Sequence, residues 1–217
     1  MKKFLLFVVM FVMSASLAVA QSDIIRFLEI PVDGTKKYMI NMLRVKGFRG
    51  TGDLFGQFNG EKVRINIQTN SVRYVWRIAV SDENTRDEVQ IKIRFNNLIQ
   101  QFLDNKKYIH IDGGAIPEDE NIKERIVDKK KMYQAVFGQT YMIDSVGLRQ
   151  RLSEKFTKEQ IANFTKGQLE DELKFILYDL AEKRKVWFMI DYVGFDRYRI
   201  VMFYENEYNN SSNGEDL

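Results

Sequence analysis

The chain has no cysteine, one histidine and two prolines. Without thiols it forms no disulfide, offers no thiolate to a metal and carries no cysteine-linked lipid. With His110 as its single imidazole, the usual Ser-His-Asp, Cys-His and zinc sites lack their parts, so no catalytic residue of those types is assigned. Pro31 and Pro117 stand far apart and no Pro/Ser-rich linker occurs; only Asp112-Gly113-Gly114 resembles a connector, which favours one compact unit. A phosphate loop is missing too, because Gly52, Gly56 and Gly60 fall among strand and turn residues rather than between a strand and a helix. No cofactor is therefore expected. Net charge is also small: the formal value is +3, falling to about +1 if Lys2 and Lys3 leave with a leader, so no nucleic-acid partner is expected.

Those two lysines, an apolar run from Phe4 and Ala18-Val19-Ala20 before Gln21 give residues 1–20 the pattern of an export signal. The run is short and broken by Ser14 and Ser16, which argues against an uncleaved anchor. A periplasmic or secreted chain without an integral membrane segment after cleavage is the expectation.

Residues 54–58, 61–68 and 72–80 read as three strands joined by Asn59-Gly60 and Asn70-Ser71. Two-residue loops at both turns pair Leu54 with Ile65, Ile65 with Trp76, Val63 with Ile78 and Ile67 with Tyr74, all on one face. The opposite face then carries Lys62, Arg64, Arg73 and Arg77, with Arg64 directly across from Arg77. Like charges so opposed call for an anion or for acids from elsewhere in the chain. These four are the candidate binding residues, and an anionic glycan or an acidic envelope protein is the matching partner. Solvation or internal pairing is the plainer alternative.

Thr35 is placed to cap a helix ending near Lys46, with Tyr38, Met39, Met42 and Leu43 as its stripe, Gly47 as a left-handed cap and Phe48 folding back on Leu43. Thr85 and Glu88 have capping-box spacing ahead of Ile91, Phe95, Leu98, Ile99 and Phe102, which predicts a helix over 86–104. The fold class is therefore α+β, an antiparallel β-meander with helices packed mainly on one face. Residues 21–108 form an αβββα subregion, 109–207 a second α+β subregion of the same unit ending in a β-hairpin, and 208–217 a polar tail. In the second subregion, 122–127 and 132–139 read as a hairpin around Asp128-Lys129-Lys130. Capping boxes at Thr157/Gln160 and Thr165/Gln168 open two later helices. Strands over 185–192 and 197–205 are apolar on both sides, hence central.

His110 lies in an alternating run and defaults to a strand position. Asp112, Glu118, Asp119, Glu120 and Asp191 are the acids available to a two-carboxylate glycosidase, though none stands in a motif. Asp112 with Glu118, Asp119 and Glu120 is a hard-cation candidate whose spacing departs from the Ca²⁺ loop pattern, so no metal is expected. Trp76 and Trp187 could stack on a sugar, but Trp76 shares the expected apolar face with Ile65.

Ile30-Pro31-Val32-Asp33-Gly34-Thr35, Gly47-Phe48, Phe58-Asn59-Gly60, Arg94-Phe95-Asn96-Asn97-Leu98, Ile116-Pro117-Glu118-Asp119-Glu120, Val186-Trp187-Phe188-Met189-Ile190 and Asn213-Gly214-Glu215-Asp216-Leu217 together resemble a family of exported Bacteroidota proteins of unknown function. The resemblance spans nearly the whole chain after the leader. It implies a periplasmic or secreted location and brings no activity. Asp144-Ser145-Val146 is similar to the Asp-Ser/Thr-apolar site at which periplasmic proteins of that phylum receive O-linked glycans, making Ser145 an acceptor candidate; a helix cap is the alternative. The functional expectation is an exported, non-catalytic binding or interaction protein of the envelope. A carboxylate-dependent enzyme acting on envelope glycans is the alternative.

Overall fold

The computed structural model describes residues 24–140 and 145–210. The expected leader, Asp144 and the chain beyond residue 210 lie outside them. A short hairpin of β1 (Arg26–Phe27) and β2 (Ile30–Pro31) leads to helix α1 (Lys36–Val45). Strands β3 (Leu54–Phe58), β4 (Glu61–Thr69) and β5 (Val75–Asp82) follow, then helix α2 (Glu88–Asp104). After β6 (Tyr108–Gly113), α3 (Ile122–Val127) and β7 (Gln134–Gln139) come three helices, α4 (Ser145–Lys155), α5 (Lys158–Asn163) and α6 (Lys166–Glu182). The described chain closes with β8 (Lys185–Gly194), β9 (Arg197–Glu205) and α7 (Glu207–Asn210).

Strands β3 to β9 make one seven-stranded antiparallel sheet in the order β3-β4-β5-β9-β8-β7-β6. The fold is thus the α+β class expected. Its seam is β5 against β9, so the last described strand fills the gap between the meander and the remaining strands. Alternation gives the sheet one apolar face: Val63, Ile65 and Ile67 on β4, Ile78 and Val80 on β5, Val186 and Phe188 on β8 and Met202 on β9 are all buried. Helices α1 and α2 cover that face. Ile91, Phe95, Leu98, Ile99 and Phe102 point down from α2, each burial worth about 1.5–3 kcal/mol. Phe102 stacks on Phe137, and Phe95 meets Phe188 edge-on. Among the described residues, no helix is long and apolar enough to cross a membrane.

The N-terminal signals form as read. Thr35 accepts from the Tyr38 amide, Gly47 takes a φ of +96°, and the Phe48 amide donates to Leu43. Both later capping boxes, at Thr157 and Thr165, are complete. The first helix of the second subregion is a correction. Residues 122–127 are helical, because Asn121 caps them by accepting from the Glu124 amide, and Ile122 and Ile126 then share one helical face instead of alternating across a strand. The α2 cap is Asp87, which accepts from Gln90; the Thr85 hydroxyl accepts instead from Arg197. Residues 207–210, partly within the expected tail, are fastened down: Asn209 donates to Asp33 and to the Val75 carbonyl at 2.8 and 2.7 Å.

The meander's second pairing also differs. Leu54 faces Ile65 as expected, but Ile65 faces Val80, and Ile67 faces Ile78. The turn between β4 and β5 is wider than Asn70-Ser71: the Asn70 amide donates to the Tyr74 carbonyl, the Asn70 side chain accepts from the Tyr74 amide, and Arg73 takes a φ of +69°. Tertiary bonds hold this wider loop, from the Val75 amide to Gly34 and from Asn70 to the Asn209 carbonyl. A bulge at Gln68/Thr69 accommodates the shift and brings Trp76 out against Arg77.

Helices α4 to α6 enclose a second small core of Leu152, Ile176 and Leu180. They dock on the sheet's other face through Gly138, where an added Cβ would lie 2.4 Å from the Ala181 Cβ.

Candidate functional site

The expected basic face is dispersed. Arg64 faces Ser81 and lies 3.8 Å from Asp53, and Arg77 faces Gln68 on one side and Glu205 on the other, with which it forms an ion pair. The Arg64–Arg77 opposition is therefore not formed, because the four-place shift separates them. Lys62 stays exposed on β4, while Arg73 sits in the turn. The centre of this face is aromatic instead: Arg77 lies over Trp76 at 4.1 Å and over Phe203 at 5.2 Å, and Phe203 stacks on Trp187 at 4.1 Å. Trp76 thus belongs to this face and not to the core.

The candidate acids do not converge. Asp191 is held by Arg199 at 2.7 Å. Glu120 accepts from the Tyr133 hydroxyl and from Lys131, and these bonds hold its carboxyl below the usual range. Asp112, Glu118 and Asp119 are exposed. Among the described residues, no group of three or more His, Asp or Glu is placed to hold a metal ion, so the cation candidate is not assembled. His110 is exposed at the β6 bulge, with Nε2 2.7 Å from the Gly113 carbonyl oxygen, a local strut. Ser145 is the first residue of α4, and its side chain is not described.

Asp82 is the most buried acid near a cation pair. It lies 3.0 Å from Arg86 and 3.4 Å from Arg94, tying α2 to the sheet. Burial still raises its pKa against both cations.

What the sequence does not bring together, the fold does. A cleft of about 540 Å³ opens where the β1–β2 hairpin, the β3–β4 turn and the C-terminal end of α2 meet the start of β6. Met202, Tyr204 and Gln139 form its floor. Gln139 is used structurally: its side chain accepts from the Arg26 amide at 2.8 Å and donates to the Arg26 carbonyl at 3.1 Å. Tyr108 and Tyr204 also bond to each other, and burial raises both hydroxyls' pKa values. Phe58, half-buried and 5.1 Å from Phe27, makes an apolar wall. The rim carries amides: Asn59 on one side, Gln101 and Asn105 on the other, while Gln57 pairs with Lys62 and points its side chain to the sheet's other face. Asn59 donates to the Gln101 side-chain oxygen across the mouth at 2.8 Å. Among the described residues Glu29 is the one carboxylate lining the cleft, and Lys107 pairs with it at 3.0 Å.

Comparison with family models, curated proteins and solved structures finds no match. The cleft must be read from its own side chains. Sequence reasoning missed it because its lining comes from five separated segments, and the one local signal was the density of amides at Asn96-Asn97 and Gln100-Gln101 on α2 and at Asn105 just past its end.

Proposed function

We propose that the protein is an exported, non-catalytic binding protein of the bacterial envelope that takes a small molecule in the cleft between the β1–β2 hairpin and α2. The observation that supports this most is the cleft itself, whose volume falls in the range of small-molecule sites and whose lining mixes aromatic walls with a few polar groups. Its single carboxylate is already paired, so the two opposed acids a glycosidase needs are not found among its lining residues. That favours binding over the alternative of a carboxylate-dependent enzyme acting on envelope glycans. Export rests on the pattern of residues 1–20. An anionic glycan or an acidic envelope protein held by Lys62, Arg64, Arg73 and Arg77 is the weaker reading, since Asp53 and Glu205 already answer two of the four cations.

Gln101 is exposed on α2, so Gln101→Trp fills the cleft mouth without entering the core. An aqueous envelope extract should raise the melting temperature of the unaltered protein and leave that of Gln101→Trp unchanged. Equal stabilisation of both proteins, or conversion of an extract component into product, would overturn the proposal.

A further inference from the structure

The geometry points to a neutral pyranose sugar as the occupant of this cleft, an inference that rests on the binding reading above and deepens it. A pyranose ring has two kinds of surface. Its edge carries hydroxyls that each donate and accept, and its faces carry C–H groups that pack on aromatic rings. Amide side chains suit the edge, because each holds a donor and an acceptor in one fixed plane.

The rim supplies that set. In the Asn59–Gln101 bond the Asn59 nitrogen donates and the Gln101 oxygen accepts. What remains is the Asn59 oxygen and the Gln101 nitrogen, an acceptor and a donor side by side, the complement of two neighbouring hydroxyls. Asn105 uses its side-chain oxygen on the Lys107 amide at 3.1 Å and keeps its nitrogen as a donor. Gln57 pairs with Lys62, so its side chain lies on the opposite face of the sheet from Phe58 and takes no part in the set. Phe58 stands between Gln57 and Asn59 and supplies the flat apolar wall.

Among the described residues the lining carries two cations, Arg26 and Lys107, and one carboxylate, Glu29, so the neutral assignment rests on the uncharged amides of the rim and not on charge. Lys107 is bound to Glu29, and the Arg26 guanidinium donates to the Glu29 carbonyl at 3.3 Å. The hairpin turn that carries Glu29 is also strained: Leu28 and Glu29 hold φ of +52° and +66° with neither glycine nor asparagine in the turn, and this conformation sets both side chains at the rim.

The test titrates methyl β-D-galactopyranoside, methyl α-D-mannopyranoside and cellobiose into the purified protein, with glucuronic acid as the acidic arm. Binding is followed by backbone amide shifts and by saturation transfer to sugar protons. At least one neutral sugar should bind with a Kd of about 0.1–10 mM, the range of one small ring held by a few hydrogen bonds. Shifts should centre on residues 57–59, 101 and 105. Gln101→Ala should weaken binding about three- to tenfold at unchanged melting temperature, and Gln101→Trp should abolish it. Tighter binding of glucuronic acid than of every neutral sugar overturns the neutral assignment. Neutral-sugar binding that survives both Gln101 variants overturns the location. If no sugar binds while envelope extract still stabilises the protein but not Gln101→Trp, the sugar class is wrong and the binding reading stands. If neither produces a response, both fall.

Discussion

Arg77 and Glu205 face each other across β5 and β9, and the Arg77 guanidinium also lies over the Trp76 ring at 4.1 Å. The pair closes the seam between the meander and the rest of the sheet. It is largely withdrawn from water, whereas Arg64 and Asp53 are well exposed. Glu205→Ala should therefore cost about 3 kcal/mol, because it leaves a mostly buried cation unpaired. Arg64→Gln should change stability by less than about 1 kcal/mol. Urea unfolding of the two variants measures the contrast, and equal losses would contradict it.

The register of β4 against β5 predicts which engineered pair can cross-link. Cysteines at Ile65 and Val80 should oxidise to a disulfide, while cysteines at Ile65 and Trp76 should stay reduced under the same conditions. Mass spectrometry of the oxidised proteins decides between them.

Gly138 is held in place by a neighbour and not by a turn. Gly138→Ala should destabilise the protein by about 1–3 kcal/mol, since its Cβ meets both the side chain and the backbone oxygen of Ala181. Ala181→Gly in the same chain should recover part of that loss. A double-mutant cycle giving zero coupling would mean that α6 does not rest on β7 in solution.

Burial pushes the Tyr198 hydroxyl up to about 12 and raises Tyr108, Tyr133 and Tyr204 as well. A phenol whose folded pKa is raised keeps its proton in the native state over a range where the unfolded chain has lost it. Its contribution is thus constant below the unfolded value of 10.0, and stability falls as pH rises from there toward 12. Tyrosinate absorbance should appear together with loss of the circular-dichroism signal between those values. The Tyr198 hydroxyl is buried and makes no hydrogen bond among the described residues, so Tyr198→Phe should move the alkaline midpoint upward.

Much of the local structure was legible in the sequence because each signal acts within a few residues. Thr35, Thr157 and Thr165 cap their helices with their own side chains, Gly47 ends α1, and Asn59-Gly60 alone sets the register of β3 on β4. The apolar stripe from Ile91 to Phe102 names the buried face of α2 because helical spacing leaves no other choice. The turn after Asn70 failed for the opposite reason. Its length is chosen by Gly34 and Asn209, whose positions the neighbouring residues do not encode. Residues 122–127 were misread because β-branched residues satisfy either period, and the Asn121 cap decided between them.

By itself the sequence determined the α+β class, the caps at Thr35, Thr157 and Thr165 and the buried stripe of α2, since periodicity and capping are local chemistry. Only the tertiary structure decided that β9 joins the two halves into one sheet, that Arg77 meets Glu205, and that Phe58, Asn59, Gln101 and Asn105 converge on one cleft. Strand order and side-chain convergence depend on contacts between residues far apart in the chain. Their free energy belongs to the packed whole, and no short stretch of sequence carries it.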